Sequence, residues 1–163
     1  IDDASLVVLS QDWHPLDHKS FAQNHDDKTP FMEIEMPYGL QTLWPNHCVQ
    51  GTAGAEFHKR LNVDRADAII RKGMNPSIDS YSTFFENDRK TPTGLLGFLR
   101  ERDVTSLLLV GLATDFCVAF SALDAVENGF DVKIRMDACR GIDNAGSMEA
   151  AIADLRKAGV KFV

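Results

Sequence analysis

A cysteine, a lysine, an aspartate and two histidines stand where this chain could use them for chemistry. Cys117 closes the run Ala113-Thr114-Asp115-Phe116-Cys117, directly after an apolar stretch. Thr114 is of a type that caps helices, which places Cys117 in a first helical turn. There the helix dipole and the unpaired N–H groups favour the thiolate, the nucleophilic form of the side chain. Lys72 follows a second apolar stretch, and its ammonium can stabilise a thiolate or an oxyanion. Asp12-x-His14, together with His47 in Trp44-Pro45-Asn46-His47-Cys48-Val49, offers a carboxylate and two imidazoles. Three such ligands suit zinc, iron or manganese and leave positions open for water or substrate.

Each residue also has a plainer reading. Cysteine is often a small buried apolar residue, and an isolated lysine at a strand end is usually a solvated charge. A lone Asp-x-His could be a capping aspartate beside a surface histidine. For Cys117 the strand-end, first-turn position and the lysine favour chemistry. Cys48 and Cys139 have no such support and are read as structural.

The elements that must position these groups follow from the apolar patterning. Runs at residues 5–10, 68–71, 106–112, 131–136 and 160–163 are rich in Val, Ile and Leu and nearly continuous, as in parallel strands covered on both faces. Helical patterns lie at residues 54–61, 92–102, 116–128 and 148–158, the last two followed by glycine. The alternation predicts an α/β fold of three α/β/α layers around a mostly parallel sheet, in a single domain over residues 1–163. In such sheets ligands bind beyond the carboxyl ends of the strands, where Asp12, His14, Lys72 and Cys117 all fall. Residues 12–49 form a long connection that gathers four of the five histidines and both tryptophans. A disordered insert would not concentrate these types, so the stretch is read as an ordered, site-building loop.

Composition narrows the partners. A formal charge of -7 argues against nucleic acid or an anionic membrane surface, whose phosphates call for cations. The longest apolar stretch, residues 107–113, is far too short to span a bilayer. Three widely spaced cysteines do not look like a disulfide framework, which points to the cytoplasm. The expected partner is a small molecule, and assembly into a homo-oligomer is left open.

Four segments resemble the isochorismatase-like hydrolases and, within them, the nicotinamidases. They are QDWHPLDHKSFAQNH at residues 11–25, LWPNHCVQGTAGAEFH at 43–58, RKG at 71–73 followed by DSYSTF at 79–84, and GLATDFCV at 111–118. The resemblance implies hydrolysis of nicotinamide, and of pyrazinamide-like amides, to the acid and ammonia through a thioester on Cys117. It implies Lys72 and Cys117 as two members of an Asp-Lys-Cys triad, and one divalent metal ion, zinc first, on Asp12, His14 and His47. Trp44 and Tyr81 match aromatic walls of the substrate pocket. The oxyanion would be held by backbone N–H groups, that of Ala113 included, with a cis peptide at Ala113-Thr114. The poor match of His18 to a ligand leaves it outside the set.

The triad aspartate of the resemblance has no counterpart, because Asp2 and Asp3 stand at the wrong end of the first strand. The expectation is therefore an N-terminally incomplete chain lacking one strand and one helix. The alternatives are another cysteine amidohydrolase of the superfamily, or an inactive binding protein on the same fold.

Overall fold

The computed structural model describes residues 4–163, so Asp2 and Asp3 lie outside the described residues. The chain forms two compact units, one ending at Asp79 and the other running from Ser80 to Val163.

In the first unit, β1 (Val8–Asp12) pairs in parallel with β4 (Ala68–Lys72), in a register that sets Val8 beside Ala68 and Asp12 beside Lys72. Pairing starts later than the apolar run at 5–10 because the N–H of Val7 is bonded to the Asp67 carboxylate at 2.7 Å. The long connection is ordered, as read. It carries an antiparallel hairpin, β2 (Glu33–Met36) with β3 (Gly39–Thr42), around a two-residue turn. Phe21, Ala22, Leu43 and Trp44 form its buried apolar interior.

The helix expected at 54–61 is not there. A single 3-10 turn, Ala53–Ala55, takes its place. Gln11 Nε2 donates to the Ala55 carbonyl at 2.7 Å, the acceptor that an α-helix would need for the N–H four residues on.

The second unit is regular. It holds α1 (Leu95–Arg100), β5 (Ser106–Leu112), α2 (Ala119–Glu127), β6 (Asp131–Arg140), α3 (Ser147–Lys157) and β7 (Lys161–Phe162). The strands form one parallel ladder in the order β5-β6-β7. β5 coincides with the apolar run at 106–112. β6 outlasts its run because pairing resumes beyond a register shift, with Gly111 beside Cys139 and Leu112 beside Arg140. α1 starts late because Thr93 N–H is bonded to the Phe84 carbonyl at 3.0 Å and Pro92 bridges Phe85. Leu95, Leu99, Ala122, Ala125, Val132, Ile134 and Leu155 are among the buried apolar residues of these helices and strands. Among the described residues, no helix is long and apolar enough to cross a membrane.

Candidate metal and nucleophile sites

The metal-type ligands are brought together by backbone pairing. Because β1 and β4 run parallel and in register, Asp12 and Lys72 end their strands side by side. Lys72 Nζ lies 2.5 Å from Asp12 Oδ1, and the lysine is almost wholly buried. The chain then continues the pairing. Trp13 N–H donates to the Lys72 carbonyl at 3.0 Å and His14 N–H to the Cys48 carbonyl at 3.0 Å. Gln50 N–H returns a bond to the His14 carbonyl at 2.9 Å. This short bridge of His14 with Val49 carries His47 to its position, 4.9 Å from the His14 ring between centroids and 4.0 Å from Asp12 Oδ2.

The tautomers follow from the partners. His14 Nδ1 faces the Gly73 carbonyl at 2.9 Å, and His47 Nδ1 faces the Pro45 carbonyl at 2.9 Å. A carbonyl can only accept, so both Nδ1 atoms carry a proton, which leaves Nε2 as the nitrogen of each ring that can ligate. Tying one imidazole nitrogen so that the other can ligate is the usual support for a histidine metal ligand. Burial pushes His14 down to about 4, against the opposing pull of Asp79 and Asp12, so it is neutral near pH 7. Burial raises the Asp12 carboxyl, but Lys72 at contact and the neighbouring imidazoles outweigh it and hold the group below its ordinary value. One donor atom from each of Asp12, His14 and His47 lies within 4.8 Å of the others, a spacing that fits one cation. Gly73, with φ +64, must be glycine here, since a methyl on it would overlap the His14 ring.

His18, set aside in the sequence, is fully buried, with its ring 4.6 Å from that of His14. Its Nδ1 bonds Ser20 Oγ at 2.7 Å, while its Nε2 has no hydrogen-bond partner. His14, His18 and buried Asp79 form a second group with donor atoms within 4.8 Å of one another. Asp79 Oδ2 also accepts from Gln41 Nε2 of β3 at 2.8 Å. The signal for this group was the crowding of histidines into one loop. Trp44 is 7% exposed and meets Phe31 edge-on at 5.9 Å.

In the second unit, Cys117 lies in a five-residue π-helical turn, Thr114–Val118, between β5 and α2. The thiol is half-buried, and none of the three cysteines is in a disulfide. Thr114 does not cap the turn. It is already inside it, and Ala113 holds the cap position, its carbonyl accepting from Phe116 N–H at 3.2 Å and Val118 N–H at 3.0 Å. The cis peptide joins Leu112 to Ala113, one bond earlier than the resemblance implied, so the Ala113 N–H belongs to that bond. Tyr81 packs edge-on against Phe116 at 5.5 Å and Phe120 at 5.0 Å. Cys139 is buried, and that burial pushes its thiol up, the opposite of what a nucleophile needs.

A parallel α/β chain with a carboxylate–imidazole cluster at one strand end and a helix-borne thiol after another has close counterparts. The isochorismatase domain family matches residues 8–163, across both units. The nicotinamidase of Acinetobacter baylyi is 51% identical over 157 residues, 96% of this chain and 73% of the relative. A solved nicotinamidase/pyrazinamidase from an Acinetobacter species superimposes with a TM-score of 0.96 at 54% identity, covering 98% of this chain and 77% of that one. A pyrazinamidase of Pyrococcus horikoshii, solved in complex with zinc, gives a TM-score of 0.76 at 33% identity, covering 99% and 76%. The chain belongs to the isochorismatase family and has its α/β fold.

Proposed function

We propose that the protein hydrolyses nicotinamide to nicotinate and ammonia with Cys117 as nucleophile, as a cytoplasmic step in salvage of the pyridine ring. The observation that carries the reading is the place of Cys117, in the helical turn directly after β5, in a family member half identical to a nicotinamidase. The thiolate attacks the carboxamide carbon and forms a C–S bond. The C–N bond breaks as the nitrogen takes up the proton that the thiol gave up and departs as ammonia. Water then cleaves the thioester, releasing the carboxylate and restoring the thiol. Backbone N–H groups of the turn, that of Ala113 among them, would hold the oxyanion. Lys72 is assigned to thiolate or oxyanion stabilisation, and Trp44 and Tyr81 to the walls around a flat ring.

Asp12, His14 and His47 would hold one divalent ion, zinc first by the donor set and by the zinc-bound relative, with iron and manganese next. When bound, such an ion supplies a Lewis-acid position at which a pyridine nitrogen can be oriented.

Replacing Cys117 by Ala decides the matter, with ammonia release from nicotinamide as the measure. Cys117→Ala should leave the fold intact and no detectable turnover, because a methyl cannot form the thioester. Cys48→Ala and Cys139→Ala should keep turnover within the order of the parent. Equal losses in all three would mean that the cysteines matter for packing and not for bond making.

A further inference from the structure

The chemistry above leaves unused a buried carboxylate two residues before the thiol. Asp115 is 4% exposed and lies in the same turn as Cys117. Its Oδ1 accepts the N–H of Ile142 at 3.0 Å. Its Oδ2 accepts the N–H of Asp143 at 2.8 Å and the Ser147 hydroxyl at 2.5 Å. An ionised carboxylate offers only acceptors, so three donors aimed at it make a strong, charge-assisted anchor. Burial raises this carboxyl, but the bonds from Ser147, Ile142 and Asp143 outweigh it and hold the group below its ordinary value.

The segment that supplies those donors is not relaxed backbone. Asp143 and Ala145 have φ of +56 and +50, values that non-glycine residues rarely adopt. Such conformations persist only where the surroundings fix them. Gly141 comes so near that a Cβ on it would lie 3.1 Å from Asp115 Oδ1 and overlap Met148. Asp115, the 141–147 segment and the start of α3 are thus one packed joint.

That joint has a consequence for Cys117. Side chains two apart on a helical turn are about half a turn apart, so they project to different sides. Asp115 reaches its donors in the 142–147 segment, and Cys117, two residues on in the same turn, is half-buried. We propose that Asp115 is a positioning residue for Cys117, fastening the turn to the 142–147 segment and so setting the direction in which the thiol is presented. The proposal rests on the assignment of Cys117 as nucleophile.

The test uses the full-length, metal-loaded protein and two readouts. One is kcat and KM for nicotinamide; the other is the pH profile of Cys117 alkylation by iodoacetamide, read at its own peptide by mass spectrometry. Asp115→Asn turns one acceptor into a donor facing N–H groups. It should lower kcat by roughly 10–100-fold through misplacement of the nucleophile, with KM changed by no more than about 3-fold. The alkylation profile should shift with it. Ser147→Ala, which removes one of the three bonds, should give a smaller loss of the same kind, and Ser147→Thr should restore the parent values. A folded Asp115→Asn protein with parental kcat and alkylation would overturn the proposal, as would a change in KM alone. If Asp115→Asn does not fold, the Ser147 pair decides: identical behaviour of Ser147→Ala and Ser147→Thr overturns it. Residual hydrolysis by Cys117→Ala is a different failure, since it removes the nucleophile itself and leaves the joint nothing to position.

Discussion

The two halves of the chain hold their chemical groups by different means. Up to Asp79, the side chains of interest are fixed by hydrogen bonds to loop carbonyls: His14 to Gly73, His47 to Pro45, and backbone to Cys48. From Ser80 onward, Cys117 is carried on a turn between a strand and a helix whose buried residues form an apolar core. The first arrangement depends on a few directional bonds; the second adds to the Asp115 bonds a regular core of buried apolar residues. Damage should therefore show differently, as lost chemistry in an intact fold in the first half and, away from the Asp115 joint, as lost stability in the second.

The sharpest way to break this contrast is Gly73→Ala. A methyl there overlaps the His14 ring, at a φ of +64 that alanine disfavours. We expect roughly 10–100-fold weaker metal binding and activity, the size usual for loss of ligand support, with an unchanged circular dichroism spectrum. Metal content by elemental analysis checks it, and a parental stoichiometry would show that the carbonyl anchors are dispensable. Leu155→Ala is the opposite experiment. Leu155 is fully buried on α3, so its truncation should cost about 2–5 kcal/mol of stability while activity per folded molecule holds. Thermal unfolding measures it. The smallest effect is expected from Arg71→Ala, whose guanidinium lies 3.9 Å from the Trp13 ring centroid and whose Nε bonds Gln11 at 3.1 Å. About 0.5–1 kcal/mol should be lost, with metal binding intact. A larger loss in urea unfolding would show that the first half leans on this surface contact more than on its carbonyl anchors.

The same contrast separates what was legible in the sequence from what was not. In the second half every expected element is present, β5 at 106–112 to the residue and the others with ends shifted by up to four residues, because continuous apolar runs and terminal glycines report directly on packing. In the first half, residue types suggested the site while the local structure escaped. Asp12, His14 and His47 are indeed neighbours, yet the helix at 54–61 was a misreading, since the bond from Gln11 that prevents it joins residues 44 apart. The β2–β3 hairpin went unread although Met36-Pro37-Tyr38-Gly39 carries a turn signal between two short runs. His18 and Asp79 belong to a buried group that no spacing rule connects, because their meeting is a matter of tertiary packing. Thr114 had the right type for a cap, but the turn opens one residue earlier than its side chain would need.

The pairing of Asp12 with Lys72 also bears on which ions the first half can distinguish. With the ammonium 2.5 Å from one carboxylate oxygen, the cluster meets an incoming cation with its only acid already balanced by a base. Hard ions such as magnesium and calcium are held mainly by accumulated oxygen charge, which a carboxylate paired to an ammonium offers poorly. What remains is a pair of imidazoles, each tied at Nδ1 to a backbone carbonyl. Ions that prefer nitrogen donors would gain from that arrangement, and Lys72 would then bear on metal identity without itself being a ligand.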